Sequence, residues 1–365
     1  MIFSKVDFHN IEEIYKHKGI DGVLLGRIPE SVSNNLSKAG QIMMICPSGS
    51  EIRFVSETYP VKITLSVDKI TNQLGEGVLT EAHIFFGGFQ TRQRFLITQK
   101  KTTFEIIMPP NFKEMAEKVA IKEPFSFNVC RVRFWGTMMS SPIRFHGIEA
   151  KGNIRPPQAH ELPKLRYLAY GSSLTQGAYA SGPHLSYINL VALKLGADVI
   201  NLGSCCSAYC EPELAEYIAR RNDWDFATLA LSVNMVKEFS PEEFSKRVKY
   251  MVNRIAESNR KRPVICITIK PYYGDYLKSE QPDLYRKILR DIVKDSPFNN
   301  VYLVEGQQLM PDVAGGLSLD MVHLGDYGMI QIADNLTKKI IPILQSHNLL
   351  LCQNDDLKGI EQMPA

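Results

Sequence analysis

From residue 166 onward, apolar strand-length runs alternate with helix-length segments, and this alternation constrains the fold more than any other feature of the chain. The runs cover 166–170, 198–202, 225–232, 263–269 and 300–304, and the helical segments lie near 184–195, 211–222, 241–260, 279–295 and 326–345. Strands that are apolar throughout need cover on both faces, and parallel neighbours need crossover helices. The pattern therefore predicts an α/β fold, a five-stranded parallel sheet in a three-layer α/β/α domain. One helix start is signposted: Ser240 as N-cap, Pro241 at the first helical position and Glu243 three residues after the cap precede an apolar face of Phe244, Val248, Met251, Val252 and Ile255.

Before residue 150 the pattern differs. Runs rich in β-branched and aromatic residues at 51–55, 61–67, 94–98, 104–108 and 126–134 are separated by turn residues, and several alternate apolar with polar. That is the period of a half-buried antiparallel strand, and it predicts an N-terminal β-sandwich. Between the halves, Gly152-Asn153-Ile154-Arg155-Pro156-Pro157-Gln158 reads as an inter-domain linker. The expected division is 1–155 for the sandwich and 156–350 for the α/β domain, followed by a loose tail, 351–365, with few apolar anchors.

A chain of 365 residues with 44% hydrophobic content suffices for two cores. Its 42 basic and 39 acidic side chains are scattered and leave a charge of +3, which points away from nucleic acid. No apolar run approaches the ~20 residues of a membrane helix. The first residues, Met1-Ile2-Phe3-Ser4-Lys5, open no secretory signal, so the expected location is cytoplasmic. Seven cysteines, an odd number, fit a reducing compartment. Cys205, Cys206 and Cys210 lack the paired spacing of zinc ligands, and neither a metal nor a cofactor is expected.

In a parallel sheet, ligands bind beyond the carboxyl ends of the strands. After the first run comes Gly171-Ser172-Ser173-Leu174-Thr175-Gln176-Gly177, a small-residue turn able to expose a serine hydroxyl, or else an ordinary structural turn. After the second comes Asn201-Leu202-Gly203-Ser204-Cys205-Cys206-Ser207, and after the third Leu231-Ser232-Val233-Asn234-Met235, whose amide either donates to an oxyanion or stitches a turn. After the fifth, Asp320-Met321-Val322-His323 holds a carboxylate three residues before an imidazole, a spacing that lets one turn aim both at a common point.

Serine, small-residue turn, asparagine and Asp-x-x-His, in that order after successive strands, resemble the SGNH (GDSL-like) hydrolase family over about 164–345. The resemblance implies a serine esterase with Ser173 as nucleophile, His323 as base and Asp320 as the acid that orients it. It further implies an oxyanion hole built from the N–H of Ser173, the backbone near Cys206 or Gly203, and Asn234. The chain departs from the family pattern in three places. Ser172 stands where the name-giving motif has aspartate, Ser232-Val233-Asn234-Met235 replaces Gly-x-Asn-Asp, and Cys206 falls at a glycine position, where a side chain narrows the pocket and meets a φ it disfavours. The Gly-Ser-Ser variant with a preceding sandwich resembles a two-domain subgroup that includes carbohydrate esterases and an acyltransferase.

The expected substrate is a small-molecule or carbohydrate ester with a small acyl group, attacked through an acyl-enzyme. Tyr179 and His184, after the nucleophile turn, and Tyr272 and Tyr273, after the fourth strand, are candidate pocket walls. Phe85, Phe86, Phe89, Phe134 and Trp135 read either as a carbohydrate platform or, more commonly for such aromatics, as sandwich core. Two other readings stay open: an acyltransferase using the same residues, and an inactive glycan-binding protein. Oligomeric state is not legible.

Overall fold

The computed structural model describes residues 1–68, 80–119, 123–136, 141–231, 233–277 and 280–351. Ser232, Ser279 at the start of one expected helix, and the expected tail beyond Leu351 lie outside the described residues.

The N-terminal half is built from strands β1 (Ile2–Phe3), β2 (Val6–His9), β3 (Glu13–Tyr15), β4 (Val23–Gly26), β5 (Glu51–Ser56), β6 (Val61–Val67), β7 (Thr80–Phe86), β8 (Phe89–Ile97), β9 (Thr102–Ile106), β10 (Cys130–Gly136), β11 (Ile143–Glu149) and β12 (Ile154–Arg155). Helices α1 (Glu30–Ser33), α2 (Lys38–Ile45) and α3 (Phe112–Val119) fill the connections. One antiparallel sheet has the order β1-β2-β5-β10-β7-β8 with β12 beside β5, and the other β3-β4-β11-β6-β9. Alternation does the sorting: Val61, Ile63 and Leu65 of β6 are fully buried while Lys62 faces solvent. They meet Ile52, Phe54, Ile84, Val132 and Phe134 from the facing sheet in one core, so the half is a β-sandwich.

One expectation changes here. The Gly/Pro segment at 152–158 is no free spacer, because Ile154 and Arg155 pair with Ser56 and Val55, and Arg155 is held by Glu161 at 2.7 and 2.8 Å. A proline removes only its own donor, so the two residues before Pro156 still complete a ladder. The aromatics follow the commoner of their two readings and pack against the protein instead of forming a platform. Phe86 and Phe134 are core, Phe85 is buried against His184, and Trp135 donates its Nε1 hydrogen to the carbonyl of Ala180 at 3.0 Å.

The second half holds β13 (Leu165–Gly171), β14 (Ala197–Gly203), β15 (Phe226–Ala230), β16 (Val264–Ile267) and β17 (Val301–Val304), all parallel, in the order β14-β13-β15-β16-β17. Its helices are α4 (Ser173–Gln176), α5 (Tyr187–Leu195), α6 (Pro212–Arg220), α7 (Pro241–Ser258), α8 (Gln281–Lys294), α9 (Val313–Gly316) and α10 (Asp326–Ser346). Residues 168, 200, 229 and 266 pack with α6, α7 and α8, whereas 167, 199, 226 and 265 pack with α5 and α10. Continuous apolar runs are thus read out on two faces, giving three layers. The Ser240 side chain caps α7 at Glu243. The strand order reverses at β13, so the crevice beyond its carboxyl end is the place where a doubly wound sheet takes ligands.

The sandwich packs directly behind that crevice. The Arg53 guanidinium grips Asp198 of β14 at 2.7 and 2.8 Å, and Glu51 lies against Arg53, Arg131 and Arg133, all buried. Fully buried Arg27 donates to the carbonyls of Asn201 and Gly203 at the end of β14, and Asn10 adds a bond to the carbonyl of Asn201. Buried charges need partners, and Arg53 and Arg27 find theirs across the two halves while Glu51 gathers arginines within the sandwich.

Candidate active site

Ser173 is placed by a short, tight turn. Strand β13 ends at Gly171, Ser172 is extended (φ −77°, ψ −162°), and Ser173 opens α4, which closes at Gly177 with φ 102°, a conformation glycine adopts without strain. Strand β14 comes close behind it. A Cβ on Gly203 would lie 2.2 Å from the Gln176 backbone nitrogen, so only glycine lets strand and turn approach this closely.

Asp320 and His323 share one turn held by its own hydrogen bonds. The N–H of Ser318 donates to the carbonyl of His323 at 2.8 Å, and the N–H of Met321 to that of Ser318 at 2.9 Å. Asp320 Oδ1 accepts from Ser318 Oγ (2.8 Å), Val322 N (3.0 Å) and His323 N (2.9 Å), while Oδ2 lies 2.6 Å from His323 Nδ1. Burial raises the carboxyl pKa, but the donors from His323, Val322 and Ser318 outweigh it and hold the group below the usual carboxylate range. With Asp320 ionised, Nδ1 carries the imidazole proton, and Nε2 faces Ser173 Oγ at 2.8 Å as acceptor. The sheet thus brings together a hydroxyl, an imidazole and a carboxylate from positions 150 residues apart.

The model of the GDSL-like lipase/acylhydrolase family matches residues 165–341. This half of the chain belongs to that family. No curated protein matches the chain. Among solved structures, a salicylyl-acyltransferase from a tetracycline biosynthetic pathway is similar at TM-score 0.75 and 13% identity, over 93% of this chain and 95% of that one. A family two carbohydrate esterase from Clostridium thermocellum is similar at TM-score 0.59 and 15% identity, over 84% and 94%. An acetyl xylan esterase from Butyrivibrio proteoclasticus is similar at TM-score 0.55 and 10% identity, over 94% and 99%. The family match and these neighbours support an ester-hydrolysing enzyme whose acylhydrolase domain follows a β-rich one.

Around Ser173 of the acylhydrolase domain, the candidate oxyanion donors separate. The N–H of Gly203 is spent on Asn201 Oδ1 at 2.8 Å, which corrects its place among the donors: its role is close approach, not hydrogen bonding to substrate. The N–H of Cys205 goes to Gln176 Oε1 at 2.7 Å. The N–H groups of Ser173 and Cys206 make no hydrogen bond among the described residues, and Cys206 sits at φ 53°, the strained conformation its glycine-like position demands. Asn234 lies in the 3₁₀ turn Val233–Met235, its Oδ1 accepting from the N–H of Ala208 at 3.3 Å, which leaves the amide hydrogens to face elsewhere.

The four expected pocket walls fare differently. Tyr179 lies with its ring parallel to that of His323, 4.9 Å between centroids. Tyr272 is buried and lines a cavity with Ser172 and Val322, neighbours in sequence of Ser173 and His323. Tyr273 donates its N–H to the carbonyl of Met321, bracing the Asp-His turn, and its hydroxyl accepts from Lys237 at 2.7 Å. His184 is a correction: its ring packs at a tilt against Phe85 and lines a cavity with Arg131, Arg133 and Asn189 at the sandwich interface. Burial and Arg133 push its imidazole down to about 4.

Sequence reasoning missed Gln176, which links Ser48 of the sandwich (3.2 Å) to the Cys205 turn, and Arg27, which anchors the end of β14. Neither carries a local signal, because their side-chain partners lie 16 to 176 residues away. Among the described residues no group of three or more His, Cys, Asp or Glu side chains is arranged to hold a metal ion, and no helix is long and apolar enough to cross a membrane.

Proposed function

We propose that this chain is a serine esterase acting on a carboxylic ester with a short acyl group borne by a carbohydrate or another small molecule. The observation that carries the reading is the unbroken relay from Ser173 Oγ through His323 to Asp320, at 2.8 and 2.6 Å, on the carboxyl edge of the sheet. His323 Nε2 takes the hydroxyl proton as Ser173 attacks the ester carbonyl. The alcohol then leaves with that proton, and water, activated by the same imidazole, releases the acid from the acyl-enzyme. Oxyanion donors would be the N–H groups of Ser173 and Cys206 and the amide of Asn234. A short ester is favoured by the small, largely apolar cavity beside Ser172 and Val322. Names of the solved neighbours agree, since one is a family two carbohydrate esterase and another an acetyl xylan esterase by title. We place the sandwich at 1–155 and the hydrolase at 156–350, the sandwich serving as the brace of the Gln176 and Gly203 segments.

The test is hydrolysis of a 4-nitrophenyl ester series from acetate to octanoate by the wild type and by Ser173→Ala. Expected is a preference for acetate that vanishes in the variant. Added alcohol, with acyl transfer followed by mass spectrometry, separates a hydrolase from an acyltransferase. Equal inertness of both proteins toward every ester sinks the esterase reading in favour of a glycan-binding one.

A further inference from the structure

Lys270 is out of place for a buried cation. It follows β16 at the carboxyl edge of the sheet, is 6% exposed, and lines the cavity beside the reaction centre together with Ser172, Leu174, Val233, Tyr272 and Val322. Every other buried lysine or arginine among the described residues has partners. Arg53, Arg131 and Arg133 hold Asp198 and Glu51, Arg144 holds Asp68, Arg286 holds Asp275, and Arg27 donates to carbonyls. Among the described residues the Lys270 ammonium has neither a carboxylate nor a hydrogen bond, only the face of the Tyr187 ring 4.7 Å from its Nζ. An uncompensated charge in an apolar wall is costly and persists where something else supplies the counter-charge. Burial alone pushes its amine down to about 7, so an anion docking here would restore the charged form.

Resting on the esterase reading above, we propose that Lys270 is a specificity residue that receives a carboxylate carried by the ester substrate itself. The cavity wall contains the sequence neighbours of Ser173, Asn234 and His323, so a group held by Lys270 is within the span of a short ester whose carbonyl sits at Ser173. The remaining lining is largely apolar, Thr268 spends its hydroxyl on Glu305 and Gly306, and Ser172 and Tyr272 are uncharged, which leaves Lys270 as the charged side chain among the described lining residues.

The carboxylate can sit on either side of the ester bond, and paired substrates separate the two. Mono-4-nitrophenyl succinate is compared with 4-nitrophenyl acetate for the acyl side, and 4-acetoxybenzoate with phenyl acetate for the alcohol side, using wild type and Lys270→Met at pH 6. Removing one member of a buried charge pair is expected to lower the charged-to-neutral ratio of kcat/KM by about 30-fold or more in one of the two pairs. Because each ratio is taken within one protein, a partly unfolded variant does not disturb it. Ratios equal within about twofold between the two proteins in both pairs overturn the Lys270 assignment, while turnover of none of the four esters by the wild type overturns the esterase reading instead.

Discussion

The Tyr179 ring lies flat on the imidazole of His323, 4.9 Å between centroids with 8° between the planes, although Tyr179 itself is 44% exposed and held at φ 67°. A half-exposed aromatic in a strained backbone conformation needs compensating contacts, and it makes them by stacking on the candidate base and by setting its hydroxyl beside Asp320. The ring covers one face of the imidazole and restricts its rotation, which preserves the alignment of Nε2 with Ser173.

Tyr179→Ala is therefore expected to lower kcat/KM about tenfold, the equivalent of an aromatic pair of about 1.4 kcal/mol, while Tyr179→Phe keeps the stack and stays within about twofold of wild type. Steady-state kinetics on 4-nitrophenyl acetate decide it. Equal loss in both variants points to the hydroxyl, not the stack.

Asn234→Ala removes an amide at the edge of the crevice and is expected to lower kcat by about 10²–10³ with little change in KM, since an oxyanion donor acts on charge that develops only in the transition state. An unaltered kcat returns Asn234 to the role of a turn residue bonded to Ala208.

Cys206 is the exposed member of the six described free cysteines, and its Sγ lies 3.4 Å from that of buried Cys205. The hydrogen bond from Cys205, opposed by burial, pulls the Cys206 thiol down to about 7. Iodoacetamide should reach this thiol first, with a rate that rises about tenfold per pH unit below 7 and levels off above it as the thiolate becomes the dominant form. Peptide mapping locates the label, and activity should fall in step, because the adduct sits on the turn that presents the Cys206 N–H. A different cysteine labelled first contradicts the assignment.

Asp198→Asn breaks a fully buried pair that joins sandwich to sheet and is expected to cost about 3–5 kcal/mol in urea unfolding. Burial raises the Asp198 carboxyl pKa, but Arg53 outweighs it and holds the group below the ordinary aspartate range. The pair's contribution is therefore present above that range and lost as the pH falls below it, so the wild-type advantage over the variant should shrink in acid. A constant difference down to pH 2 contradicts this.

Much of this architecture is legible locally. The parallel strands read as unbroken apolar runs because both their faces are buried, as Tyr167, Leu168, Ala169 and Tyr170 show, each fully buried on alternate sides of the sheet. The turns carrying Ser173, Asn234 and Asp320-Met321-Val322-His323 are visible because each falls just after such a run. Gly203 and His184 are misread for the same physical reason: a glycine N–H near a turn and a histidine after Gly-Pro have no local mark of the partner that claims them, Asn201 in one case and the sandwich residue Phe85 in the other.

By itself, then, the order of residues determined the two sheet types, through periods of burial that repeat every residue or every second residue, and the family, through short motifs after strands. Only the tertiary structure decided that Ser173, His323 and Asp320 meet at hydrogen-bond distance, that the sandwich braces β14 at its start through Arg53 and at its end through Arg27, and that Lys270 is left without a counter-charge among the described residues. Those are relations between groups far apart along the chain, and hydrogen bonds and ion pairs of that span are set by how layers pack, which no local period encodes.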